Sequence, residues 1–119
     1  MSYRQLLGAQ GEKFVADFLS GSGYQILDRN WRIKSGEIDL VAQDGDGLIH
    51  FIEVKTRSSE KFGHPLEAIT PDKAARLQRL ALGWLITNES WGVDFAIDCV
   101  GVIRSATGEF TMDYRSAVL

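Results

Sequence analysis

A chain of 119 residues, 45% hydrophobic and 24% charged, has the length of one domain and enough apolar content to bury a core. A net charge of −3 excludes a generally basic coat, although not a local basic patch beside an acidic site. A single cysteine, Cys99, excludes an internal disulfide framework, and no stretch matches a membrane span or an apolar leader, so the expectation is one cytoplasmic domain over residues 1–119.

The first predicted element is a helix from Tyr3 to Leu19, because Leu7, Phe14, Val15, Phe18 and Leu19 recur at helical spacing. Gly8 and Gly11 lie inside it, each costing about 1 kcal/mol relative to alanine, which close approach of another element would explain. Ser20-Gly21-Ser22-Gly23 ends the helix, and Tyr24 to Trp31 predicts a first strand around Ile26 and Leu27. Ile38 to Gln43 and Leu48 to Lys55 predict two more strands, joined by the turn signal Asp44-Gly45-Asp46-Gly47. Ser58 to Ile69, with Phe62-Gly63-His64-Pro65 inside it, predicts an irregular loop.

Thr70 suits an N-cap and Pro71 a first helical position. The helix they open runs to Thr87, with Ala74, Leu77, Leu80, Ala81, Trp84 and Leu85 facing inward and Lys73, Arg76 and Arg79 across the other side. Asp94 to Ile103 predicts a strand and Phe110 to Tyr114 a short edge strand. The order α-β-β-β-α-β-β predicts an α/β sandwich, a mixed sheet with helices packed against it.

The chemistry concentrates in the predicted hairpin. If it is centred on Asp46, Asp39 faces Glu53 and Glu37 faces Lys55. Alternation then puts Glu37, Asp39, Val41, Phe51, Glu53 and Lys55 on one largely polar face, and Ile38, Leu40, Ala42, Ile52 and Val54 on a core face. Two carboxylates about 5 Å apart at an effective dielectric of about 20 repel by roughly 3 kcal/mol. A hard divalent cation would offset that repulsion. A solvated face with Glu37 and Lys55 as a cross-strand ion pair fits the same spacing. Other polar residues read as structural: His50 falls on the core face, His64 in a loop, and neither has a ligand partner at a useful spacing. Asp94 and Asp98 read as structural or solvent-exposed, Cys99 as a buried inert thiol, and Trp31, Trp84 and Trp91 as core.

Asp39 followed by Glu53-Val54-Lys55 resembles the PD-(D/E)xK nuclease superfamily. Within it, nearly the whole chain resembles the YraN-like family of small bacterial proteins related to archaeal Holliday junction resolvases. The matching residues are Gly8, Gly11-Glu12 and Ala16, then Asn30-Trp31-Arg32, Gly36-Glu37-Ile38-Asp39-Leu40-Val41 and Phe51-Ile52-Glu53-Val54-Lys55-Thr56-Arg57. Phe62-Gly63, Lys73 and the Asp94 strand extend the match, and Ile38 stands where the superfamily's name implies proline.

The resemblance implies a restriction-endonuclease-like fold and a magnesium- or manganese-dependent DNA endonuclease. Asp39, Glu53, the Val54 carbonyl and Glu12 would be metal ligands, and Lys55 would position the attacking water or stabilise charge on the phosphate. Glu37 would support them, and products would carry 5′-phosphate and 3′-hydroxyl ends. Arg32, Arg57 and Lys73 are the nominated DNA contacts, with Lys34, Arg76 and Arg79 as further candidates. Branched DNA such as a Holliday junction is the implied substrate type, for which a homodimer would supply two symmetric cuts. A non-catalytic nucleic-acid-binding module and a protein-interaction module on the same fold are the alternatives.

Overall fold

The computed structural model describes residues 1–61, 63–90 and 92–118, so the readings of Phe62 and Trp91 lie outside the described residues. Helix α1 spans Tyr3–Gly21, strands β1 to β3 span Gln25–Ile33, Gly36–Gln43 and Ile49–Arg57, α2 spans Pro71–Thr87, and β4 and β5 span Phe95–Arg104 and Phe110–Arg115. The expected order is present. The one addition is a 3₁₀ turn, Pro65–Ala68, within the stretch read as irregular. After Pro65, which has no N–H, its next one is met by the ring of His64, whose Nδ1 accepts from the Leu66 N–H at 3.1 Å. Both helix starts follow their sequence: Ser2 and Gln5 form a capping box on α1, and the Thr70 hydroxyl accepts the Lys73 N–H before Pro71.

The five strands form one sheet in the order β1-β2-β3-β4-β5, antiparallel except for the parallel pair β3–β4, which α2 connects. From Leu40 opposite Ile52 to Gln43 opposite Ile49 the hairpin register is the expected one, but the ladder ends at Leu40, so the expected Asp39–Glu53 and Glu37–Lys55 pairs are not part of it. The hairpin's faces are not the expected ones. Val41 and Phe51 are fully buried beneath α2 with Leu77, Leu80 and Trp84, while Leu40, Ala42, Ile52 and Val54 pack beneath α1 with Val15 and Leu19. The sheet is covered on both faces, so the face read as polar is a second core. Each fully buried Leu, Ile or Phe contributes about 1.5–3 kcal/mol. Phe51 also meets Trp84 and Phe95 edge-on, with centroids 5.6 Å apart in both pairs.

All six inward residues expected on α2 are buried. On α1, Phe18 is instead 47% exposed. Gly11 permits close approach: a Cβ there would fall 1.8 Å from Thr56 Oγ1, whereas one on Gly8 would meet open space. Trp31 and Trp84 both pack in the α2-side core. Among the described residues, no helix is long and apolar enough to cross a membrane.

A polar tie runs beneath α1's end of the sheet. Buried His50 lies between Asp98 (Nδ1···Oδ2, 2.6 Å) and Asp44 (Nε2···Oδ2, 2.9 Å). Asp98, fully buried, also accepts from Tyr114, Ser116 and the Ala117 N–H. These bonds fasten the hairpin turn, β4, β5 and the tail together, and they satisfy a carboxyl group that would be costly to bury without partners. Asp98 is therefore structural, as read, and Asp94 is exposed.

Candidate active site

The β2–β3 ladder stops at Leu40 opposite Ile52, and the two strands part beyond it. There the Asp39 carboxylate takes over from a backbone acceptor, receiving the Val54 N–H at 2.8 Å. Asp39 thus stands in the fork between the strands, beside Glu53 and Val54. Strict alternation also fails at this point: Ile38 packs in the α2-side core with Val41, not with Leu40. Across from the break, Asn30 of β1 has φ +50°, a left-handed conformation that asparagine tolerates better than most residues.

The break turns Glu37 away from its expected partner. The Glu37–Lys55 pair is not formed. Glu37 accepts instead from Arg32 at 3.0 Å, its cross-strand neighbour in β1. With its amide nitrogen turned toward the carboxylates, the orientation that satisfies both ends, Asn30 donates to Glu12 Oε1 at 2.8 Å and Glu37 Oε1 at 2.9 Å. Helix α1 can present Glu12 to this group because Gly11, without a side chain, lets the helix settle on Thr56 of β3.

Three half-buried carboxylates here hold their protons unusually tightly. Glu12 is raised to about 7 by burial, then by the charges of Asp39 and Glu37, against the Asn30 hydrogen bond. Asp39 is raised to about 6, chiefly by burial, although the Val54 N–H and Lys55 favour its ionised form. Glu53 is raised to about 7 by burial and by Asp39, with Arg76, Lys55 and Lys73 opposing. Perturbed carboxylates gathered in this way mark functional sites more often than ordinary surface.

Lys55 is exposed and its side chain, among the described residues, makes no hydrogen bond or ion pair, so its ammonium is available to an incoming group. Arg57 is half-buried with an unsatisfied Nε. Lys73 donates to the Ala68 carbonyl at 2.9 Å while influencing Glu53, and Arg76 does the same electrostatically from the next turn of α2. Arg32 is committed to Glu37. Lys34 and Arg79 are exposed and lie in no contact with the carboxylates. Asn30 is the residue that spacing arguments passed over. In the sequence it figures only within the Asn30-Trp31-Arg32 match, without a role, and its φ of +50° leaves no mark on spacing. The Cys99 thiol, paired in register with Glu53, is buried, as expected, and pushed up to about 11 by that burial.

The donor set suits a hard divalent cation: Asp39, Glu53, Glu12 and the Val54 carbonyl offer only oxygen. As placed, no three His, Cys, Asp or Glu side chains converge tightly enough to hold a metal among the described residues. Glu12 is engaged by Asn30, and Asp39 by Val54, so the fit lies in donor chemistry and electrostatics.

The sequence pattern of the uncharacterised protein family UPF0102 matches residues 11–102. Among curated relatives, a UPF0102 protein of Beutenbergia cavernae is 43% identical over 118 residues, 99% of each chain. One of Leifsonia xyli subsp. xyli is 46% identical over 105 residues, 88% of each. By shape, the chain resembles a repair endonuclease from Pyrococcus abyssi (TM-score 0.49, 17% identity), with 91% of this chain and 41% of that one covered. It also resembles SfsA of Pyrococcus furiosus in complex with Ca2+ (TM-score 0.44, 15% identity), with 93% and 63% covered. The chain spans less than two thirds of both, and likenesses this distant say nothing of activity. The match over residues 11–102 and the full-length relatives make the chain a member of UPF0102, the YraN-like family that its sequence resembles.

Proposed function

We propose that this chain is a divalent-metal-dependent endonuclease hydrolysing DNA phosphodiester bonds, with magnesium, or manganese in its place, as the working ion. The observation that carries this reading is Asp39 in the fork of β2 and β3, with Glu53 beside it and the unpartnered Lys55 one pleat further on. Asp39, Glu53, the Val54 carbonyl and Glu12 would hold the ion, which when bound would make a coordinated water easier to deprotonate and stabilise charge on the phosphate. Lys55 would meet the phosphate or orient the water, adding positive charge where negative charge develops. Asn30 would fix Glu12 and Glu37. Lys73 and Arg76 give Glu53's flank a positive potential that favours a polyanion, and Arg57 has an unspent donor for a second phosphate.

Branched DNA, cut by a homodimer, is the finer form of this proposal. It is tested with labelled duplex, single-strand, flap and four-way-junction DNA in magnesium, manganese or EDTA. Metal-dependent cutting concentrated on the junction supports it, and cutting that ignores branching removes the junction from the account. A second reading, a nucleic-acid-binding module without catalysis, draws on Glu12 being tied to Asn30 rather than converging with Asp39 and Glu53. DNA binding that persists in EDTA with no cutting in either metal would favour it.

A further inference from the structure

The register across β3, β4 and β5 sets Glu53, Cys99 and Arg115 in one row on one face of the sheet. Neighbouring strands lie about 4.8 Å apart, so Cys99 stands one strand spacing from Glu53 and Arg115 two, roughly 10 Å away. Over Cys99 and Arg115 opens a cavity of about 330 Å³, walled by Leu66, Pro71 and Ala74 and rimmed by Val118. Its volume lies within the ~300–1,000 Å³ of small-molecule sites, which pair apolar walls with a few placed polar groups.

The walls are fixed. The 3₁₀ turn that carries Leu66 rests on Gly101, where a Cβ would come within 3.2 Å of Pro65, His64 and Leu66. The tail is held by the Val118 N–H to Ile97 carbonyl bond at 2.9 Å and by Asp98's bonds to Ser116 and Ala117. Arg115 is oriented by Asp113, which accepts from Nε at 3.2 Å and Nη2 at 2.9 Å. A planar guanidinium held in this way offers its face for stacking. None of these residues has a part in the hydrolysis described above.

We propose that this cavity is a nucleobase subsite, which takes the base of one unpaired nucleotide flanking the phosphate held at Asp39, Glu53 and Lys55. The proposal rests on the nuclease reading and adds a substrate class to it. The occupant follows from the geometry. A phosphate at Glu53 carries its own nucleoside beside it, and the cavity begins one strand spacing away. Its apolar walls suit a flat heterocycle, and Arg115 supplies the stacking and hydrogen-bonding partner that bases find on proteins binding single strands. A base within a continuous stack cannot enter, so the site selects DNA with at least one unpaired nucleotide at the cut.

The test uses oligonucleotides carrying 2-aminopurine next to the scissile phosphate, unpaired or in duplex, bound to the full chain in magnesium with Lys55→Ala holding cleavage off. The expected result is a fluorescence change for the unpaired probe only, with about tenfold weaker binding of that probe after Arg115→Ala or Ala74→Leu. Val118→Trp, on a residue 41% exposed at the rim, blocks the same cavity without altering the core, and should act alike. An unchanged signal in folded Val118→Trp, equal signals for paired and unpaired probes, or no signal at all would overturn the subsite. Wild-type cutting of the same DNAs is scored separately. Cutting that ignores both pairing and the cavity variants leaves the nuclease standing without its subsite. Absence of cutting on every DNA removes the nuclease reading, while the fluorescence still decides the cavity.

Discussion

The Asp39 carboxylate accepts the Val54 N–H at 2.8 Å just past the end of the β2–β3 ladder, where its charge also acts on the Glu53 carboxylate. Charge and hydrogen bonding can be separated here. Asp39→Asn keeps an acceptor for the Val54 N–H and removes a charge whose ionisation burial opposes, so its stability should match or exceed wild type. Asp39→Ala orphans that N–H and should cost about 1–3 kcal/mol in denaturant unfolding. Both should abolish divalent-metal binding in calorimetry. Equal stability of the two variants would show that the hydrogen bond does not hold the fork.

Glu12 and Glu53 hold protons to about pH 7 and Asp39 to about 6 in the folded protein, against 4.5 and 3.8 unfolded. Between those values the unfolded chain has released protons that the native state keeps. Stability therefore falls as pH rises from about 4.5 through 7 and is lowest above it. The Tm of the protein in EDTA should drop across that window. Magnesium should raise Tm more at pH 8 than at pH 5, because the ion must displace protons at the lower pH. A Tm in EDTA that climbs from pH 5 to 7.5 would contradict the raised carboxylates.

Asn30 joins Glu12 to Glu37 from a left-handed backbone position. Asn30→Gly tolerates that φ and deletes the amide, so it should fold near wild type yet bind manganese severalfold more weakly. Asn30→Ala adds a backbone cost of about 1–2 kcal/mol. Calorimetry with Mn2+ and thermal unfolding of both variants check this. Wild-type manganese affinity in Asn30→Gly would leave Asn30 a backbone residue only.

Gly11 and Gly8 form an internal control. Gly11→Ala forces a Cβ onto Thr56 and should cost about 1–3 kcal/mol of overpacking, while carrying Glu12 away from Asp39. Gly8→Ala meets open space and should stabilise α1 by up to about 1 kcal/mol. Similar chemical denaturation midpoints for the two variants would refute the close approach.

Much of this was legible in the chain. The Asp44-Gly45-Asp46-Gly47 turn set the hairpin register, and the apolar spacing of Ala74, Leu77, Leu80, Ala81, Trp84 and Leu85 set the buried face of α2. The burial of Val41 and Phe51 was not, because acidic neighbours at Glu37, Asp39 and Glu53 made their face look solvated when a second helix covers its lower half. Glu37's turn toward Arg32 depends on β1 pairing and on one broken alternation at Ile38, neither of which periodicity records. The His50–Asp98 contact joins residues 48 apart and is likewise invisible to local spacing.

The central claim, that Asp39, Glu53 and Lys55 form a phosphodiester-cleaving site, is tested most directly by one cleavage assay. Wild type, Asp39→Asn, Glu53→Gln and Lys55→Ala, each confirmed folded, are incubated with the DNA panel in magnesium and in EDTA. The account predicts metal-dependent cutting by wild type and a loss of at least about 100-fold in every variant. Cutting that survives all three substitutions, or none by the folded wild type on any DNA, would contradict it.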